Sequence, residues 1–322
     1  MKGIIKAGAF ACVAALALAG CGQGATEGEV RIGYFPNLTH IATIIALENG
    51  YFDEEFGEET TIQTMTVPDG SAFMEAMSTN EIDIGTVGPG PAMNTYTSNP
   101  AHSIIAGAVN GGAVLMVRED AEVETVADLA RERVAVPTLG STQDVMLRKA
   151  LADAGVDAEE VELIPQAPAD TSTLFNQGDV AAAATQEPWG SYLEEQTGAR
   201  FLLDADAFAW GEESTNTVVV ATHDFLDVNE ELARAYLRAH KKAVEFVQEQ
   251  PQEAAGIFVS HIKEETGNEL NIAEIEQSME RLFPTVDVNE QVLQEMAEIA
   301  HEAGNMSSTD IDGLVDLSYL EK

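Results

Sequence analysis

The chain has 322 residues, 45% hydrophobic and 22% charged, a composition that excludes intrinsic disorder and leaves room for two domains. Asp and Glu number 55 against 16 Lys and Arg, a formal net charge of −39, which excludes nucleic acid as a partner because phosphate binding needs clustered basic residues. Such a charge repels itself in dilute salt. At about 1 M salt the Debye length falls to roughly 3 Å, so a saline or alkaline exterior is expected.

The first segment reads as an address. Lys2 and Lys6 precede an apolar run over 8–19, which is shorter than the ~20 residues of a spanning helix and suits a secretory signal over 1–20. The run ends Leu18-Ala19-Gly20-Cys21, which resembles the bacterial lipobox. That resemblance implies cleavage before Cys21, lipid on Cys21, and anchoring on the outer face of the cytoplasmic membrane. Cys12 lies in the removed part, so thiol catalysis, disulfides and Cys-ligated metal are excluded. Loss of the two lysines leaves 14 basic residues against 55 acidic, a net of about −41. Residues 21–29 read as a short tether, polar and Gly-rich from Gln23 on.

A strand is predicted over 30–34, broken at Pro36-Asn37. Ile41, Ile44, Ile45 and Leu47 form one helical face over 38–48, and Asn49-Gly50 stops it. The runs Asp53-Glu54-Glu55 and Glu58-Glu59 read as solvated faces. Strands follow over 61–67, 82–87, 104–109 and 114–117, with helices over 71–77 and 91–96 between them. Thr125 with Asp128 reads as a capping box. The rhythm then repeats, with strands over 134–137, 161–164 and 180–185 and helices over 141–154 and 171–177. After Trp210-Gly211 comes a strand over 217–221. The remainder is mostly helical, with Leu232, Tyr236, Ala239, Ala243 and Phe246 on one face and a stop at Pro251.

This βαβα alternation predicts an α/β fold of two lobes, each a mainly parallel sheet flanked by helices. The lobes join near Gly111-Gly112 and again near 214–217. Lobe 1 is expected to hold 30–113 and 217–322, and lobe 2 114–216. Ligands in open α/β sheets sit beyond the strand ends, at helix N-termini, where unpaired N–H groups and a partial positive charge suit an anion. An acidic protein repels anions at long range, so short-range donors must hold one.

The loops after the strands carry Tyr34-Phe35-Pro36-Asn37-Leu38-Thr39-His40, Ile82-Asp83-Ile84-Gly85 running into Gly88-Pro89-Gly90-Pro91, Gly140-Ser141-Thr142-Gln143-Asp144, and Glu187-Pro188-Trp189. Their order and spacing over roughly 30–251 resemble the sulfonate/nitrate/taurine solute-binding family of ABC importers. The resemblance implies a type II periplasmic-binding fold, a ligand in the cleft, and permease and ATPase subunits as partners. Binding without chemistry is expected, by a monomer without cofactor or metal.

The residues themselves suggest which groups hold the anion. Asn37 is a natural N-cap, and the amides that follow it at Leu38 and Thr39 are candidate donors. Gly88 and Gly90 let a ligand approach the backbone, and Pro91 suits a first helical position. Ser141 with Asp144 also reads as a capping box, while Thr142 and Gln143 offer donors from the opposite lobe. Trp189 is a candidate wall for an alkyl tail, or plain packing. Glu187 would meet an ammonium group if it faced the cleft, which would favour a zwitterion such as taurine. Arg118, His40 and His102 are candidate cations.

An alkanesulfonate or taurine is the expected ligand. Nitrate, bicarbonate or a zwitterion is the alternative, and an enzyme on the same fold is a further one. HExxH, GxSxG and GxxxxGK are absent from the sequence. With only Trp189 and Trp210, a full aromatic cage for a cationic solute is not expected.

Overall fold

The computed structural model describes residues 24–267 and 269–320. The signal segment and Cys21 lie outside them. The first half of lobe 1 runs β1 (Glu29–Tyr34), α1 (Ile41–Glu48), α2 (Tyr51–Phe56), β2 (Thr61–Thr66), α3 (Gly70–Ser78), β3 (Ile84–Val87), α4 (Pro89–Ser98) and β4 (His102–Gly111). The second lobe holds β5 (Ala113–Val117), β6 (Arg133–Val136), α5 (Thr142–Asp153), β7 (Glu162–Pro165), α6 (Thr171–Gln177), β8 (Ala182–Gln186), α7 (Trp189–Thr197) and β9 (Arg200–Leu203). The chain then returns through β10 (Thr215–Thr222), α8 (His223–Val228), α9 (Glu230–Glu249), α10 (Pro251–Thr266), α11 (Ile272–Met279), β11 (Leu282–Pro284) and α12 (Glu290–Glu302).

Two sheets result, in strand order β11-β4-β10-β3-β1-β2 and β7-β6-β8-β5-β9. Both are mixed, and here the structure corrects the expectation of mainly parallel sheets. β1 runs parallel to β2 and β3, and β6 parallel to β7 and β8. β10 is antiparallel to β3 and β4, β11 to β4, and β5 to β8 and β9. Of the strands that run against the βαβ direction, β5 is the one by which the chain enters the second lobe and β10 the one by which it returns, while β11 is a short edge strand on β4.

At the crossing, Gly111 and Gly112 have φ of 65° and 70°, a left-handed conformation that glycine adopts without penalty. The amide of Gly111 donates to Ser214 O, which ties the two crossing segments together.

The apolar residues fill three layers. Ile32, Ile41, Ile45, Phe52, Tyr236 and Phe258 lie between the six-stranded sheet and α1, α2, α9 and α10. A second cluster lies on the other face and continues into the second lobe, joining Phe73, Met93 and Val218 to Leu115, Val145 and Leu151, with Leu293 and Met296 of α12. A third, around Val114, Phe175 and Leu193, covers the far face of the five-stranded sheet. Each fully buried Ile, Leu or Phe contributes about 1.5–3 kcal/mol, and these layers fix the strand ends that bound the cleft.

Candidate functional site: a cleft between the lobes

A cavity of about 550 Å³ opens where the two sheets face each other. Phe35, Asn37, Thr39, His40, Val67, Asp69, Gly88 and Pro91 line it from lobe 1. Thr138, Ser141, Thr142, Gln143, Gln166, Gln186 and Trp189 line it from lobe 2, with Asn216 and Thr217 on β10 and Ile262 and Thr266 on α10. Pro36, Pro68, Pro137, Pro165 and Pro168 complete an apolar, rigid wall. Among the described lining residues there is no Lys or Arg, and Asp69 supplies the one carboxylate.

The start of α5 is the most open donor group. Ser141 caps the helix, its hydroxyl accepting from the amide of Asp144 at 3.2 Å. Asp144 is fully buried and accepts from the Gly140 amide at 2.7 Å and from Arg148 at 2.7 Å. The capping role of Ser141 is therefore met inside the protein. The next amides, of Thr142 and Gln143, lie in the first turn, where a helix offers no acceptor. The Gln143 side chain donates to Asn216 Oδ1 at 2.9 Å, and Asn216 donates to Gly111 O at 2.7 Å, which links the cavity floor to the crossing point.

Lobe 1 contributes less backbone than the sequence suggests. Asn37 accepts from its own neighbour's amide, Thr39, at 3.2 Å, and the Asn37 amide donates to Phe35 O at 2.8 Å. The Asn37 side-chain NH₂ and the Leu38 amide remain. The Leu38 side chain is fully buried in the core rather than in the cavity lining. Gly88 lines the cavity, but the Gly90 amide donates to Thr142 Oγ1 across the cleft at 3.2 Å.

Glu187 turns away from the cavity. It is fully buried and accepts from the Ser191 amide and hydroxyl, each at 3.1 Å, from Ser278 at 3.3 Å and from Arg281 at 3.2 Å. Burial pushes its carboxyl up, against the pull of the Ser191 amide and Arg281. Arg281 also holds Asp204 at 2.6 Å, so Glu187 belongs to an internal ion network. The residue before it, Gln186, lines the cavity in its place; its Oε1 is buried without a partner among the described residues. Trp189 stands in the cavity wall, edge-on to Tyr192.

Of the three candidate cations, only His40 reaches the cavity. Its Nδ1 lies 2.8 Å from Thr86 Oγ1, and burial lowers its pKa to about 3, so it is a neutral ring, tilted against Phe35 with ring centroids 4.3 Å apart. Arg118 pairs with Asp120, and His102 bonds the carbonyl of Ala92. Sequence reasoning missed Gln186, Asn216, Thr217 and the α10 residues. Among the described residues no cluster of three His, Cys, Asp or Glu could hold a metal.

Two mixed sheets closing on one cleft, with helix starts on both sides, define the two-lobe periplasmic-binding-protein fold. The alkanesulfonate-binding protein SsuA from Xanthomonas axonopodis pv. citri, solved bound to MOPS, has this fold, with a TM-score of 0.76 at 20% identity over 88% of this chain and 96% of that one. The periplasmic nitrate-binding protein NrtA from Synechocystis PCC 6803 superposes with a TM-score of 0.69 at 15% identity, over 88% of this chain and 83% of that one. A protein of Escherichia coli (strain K12) named for binding aliphatic sulfonates is 25% identical over 80% of this chain and 79% of its own. The NMT1-like family profile matches residues 23–260, and the chain belongs to that family.

Proposed function

We propose that this chain is the extracytoplasmic solute-binding subunit of an ABC importer and that it captures an organic sulfonate. The observation that carries this is the donor set of the cleft. Neutral donors gather there on a mostly apolar cavity: the amides of Thr142 and Gln143 and the Asn37 side-chain NH₂, beside the neutral ring of His40. A sulfonate stays ionised and only accepts hydrogen bonds, so it needs such donors and no titrating base. The similarity to proteins named for sulfonate binding supports the same reading.

Cavity size separates the alternatives. Nitrate or bicarbonate needs the room of only one or two waters, at about 30 Å³ each, and would leave most of a cavity of about 550 Å³ facing prolines and Trp189. A sulfonate with an apolar or cyclic tail fills that wall. Taurine loses the support that Glu187 would have given its ammonium group; Asp69 is the one carboxylate left for it.

The ligand-binding residues of this reading are Asn37, Leu38 and Thr39 with Gly88 from lobe 1 (30–113 and 217–322), and Ser141, Thr142, Gln143 and Trp189 from lobe 2 (114–216). To these we add His40, Gln186 and Asn216. Lipid on Cys21 would hold the monomer to the outer face of the cytoplasmic membrane, beside its permease and ATPase.

A thermal-shift panel of hexanesulfonate, MOPS, taurine, nitrate, bicarbonate and glycine betaine tests this. A sulfonate at about 100 times its Kd stabilises by about 2.7 kcal/mol, and the larger sulfonates should rank above taurine and nitrate. A shift confined to nitrate or to betaine sinks the reading.

A further inference from the structure

We infer that the contact between Gly90 and Thr142 couples closure of the lobes to ligand capture, by relaying the free amide of α4 through the Thr142 hydroxyl to an acceptor group in the cavity. The inference deepens the sulfonate reading and rests on it for the ligand's chemistry.

Gly90 lies in lobe 1 and Thr142 in lobe 2, and the Gly90 N–H donates to Thr142 Oγ1 at 3.2 Å. Gly88 crowds the same oxygen: a Cβ built on it would stand 2.4 Å from Thr142 Oγ1. The lone-pair side of that oxygen is thus faced by an amide hydrogen and an α-carbon. A hydroxyl engaged in this way keeps its own hydrogen for another direction, and Thr142 lines the cavity. The first-turn amides of Thr142 and Gln143 open onto the same place.

Hydrogen bonds in a chain polarise one another. A ligand oxygen that takes the Thr142 hydrogen therefore strengthens the bond from Gly90, and the closed arrangement gains over the open one. Closure on a ligand requires that difference in affinity between the two states. Both glycines serve approach rather than backbone conformation, since neither has a left-handed φ. A Cβ on Gly90 would fall 2.9 Å from both Gly140 O and Thr142 N, so a side chain there holds the lobes apart. The relay ends in a hydrogen, which suits a sulfonate oxygen and rejects a terminal ammonium at that spot.

The experiment uses the full chain as wild type, T142V, T142S and G90A. Calorimetric titration with MOPS is paired with small-angle X-ray scattering, with and without MOPS. Valine keeps the shape of threonine and removes the hydroxyl, so T142V should raise the Kd about 10- to 100-fold, with G90A alongside it. T142S should stay within about 3-fold of wild type, because its hydroxyl is retained. Ligand-free T142V and G90A should show a larger radius of gyration than wild type. A T142V chain that binds MOPS like wild type, with unchanged ligand-free scattering, overturns the inference. Should wild type bind no sulfonate, the functional reading fails, and the relay is then judged by ligand-free scattering alone: no expansion in T142V and G90A removes it.

Discussion

His40, His102 and His240 are all buried and neutral. Burial lowers His240 to about 4, and its Nδ1 has no partner among the described residues, so a proton there would be an unsatisfied donor. Its Nε2 is fixed on Gly107 O at 2.9 Å. The unfolded chain takes up this proton near pH 6.5, whereas the folded chain resists until about pH 4. The stabilisation is complete above the unfolded value and drains away as the pH falls toward the folded one. Between pH 7 and pH 5 each such histidine should cost about 2 kcal/mol. In H240Q, which keeps a donor for Gly107, the loss over that interval should shrink by about that amount in urea unfolding at the two pH values. An unchanged loss refutes the assignment. The misplaced site residues also belong to this scale. Gln186 and Glu187 are neighbours at the end of a strand, and successive side chains there point to opposite faces. The sequence marked the turn, and the pleat decided that the amide faces the cleft and the acid faces Arg281. Leu38 divides in a like way, since its side chain enters the core while its amide stays among the candidate donors.

At the scale of elements, the alternation of apolar runs with helical faces was readable because Gly, Pro and Asn punctuate it. The boundaries at Asn49-Gly50 and Pro251 fell where the sequence put them. α2 was hidden by its acidic run: Glu55 looked like solvated surface, yet it pairs with Arg238 and Lys242 at 2.7 and 2.6 Å. β9 and β11 are three or four residues long and largely half-buried, too short for a period to register. Strand direction was readable for the βαβ units, where β1, β2 and β3 and β6, β7 and β8 run parallel, but not for β5 and β10, whose direction follows from which lobe the chain is entering. The same crossing carries a prediction. Alanine at Gly112 must adopt a left-handed φ and would meet Leu282 at 3.3 Å and Thr39 at 3.4 Å. G112A should lower the unfolding free energy by about 1–2 kcal/mol, and G111A by more, since its Cβ would lie 2.8 Å from Arg281 O. Urea midpoints for the two variants check this; equal and negligible effects would mean that the crossing is not held in this conformation.

Across the whole molecule, charge sets the conditions. A net of −39 makes the compact state repel itself, since 55 acids face only 16 Lys and Arg. Raising sodium chloride from about 0.05 M to about 1 M should raise the melting temperature, because screening then acts over roughly 3 Å. A chain equally stable at both concentrations would remove the argument for a saline habitat. No helix among the described residues is long and apolar enough to cross a membrane.

The clasp at the start of lobe 1 bears on the lipid anchor proposed at Cys21. Asn229 donates to Thr26 O at 3.0 Å and accepts from the Gly28 amide at 3.2 Å, so the chain is already pinned to the body at Thr26. Five residues beyond Cys21 span at most about 18 Å when fully stretched. With acyl chains at one end and the Asn229 pin at the other, lobe 1 would be leashed within two helix diameters of the bilayer. Lobe 2 would then be the swinging jaw, presented to the transport channel at a distance set by covalent reach instead of by diffusion.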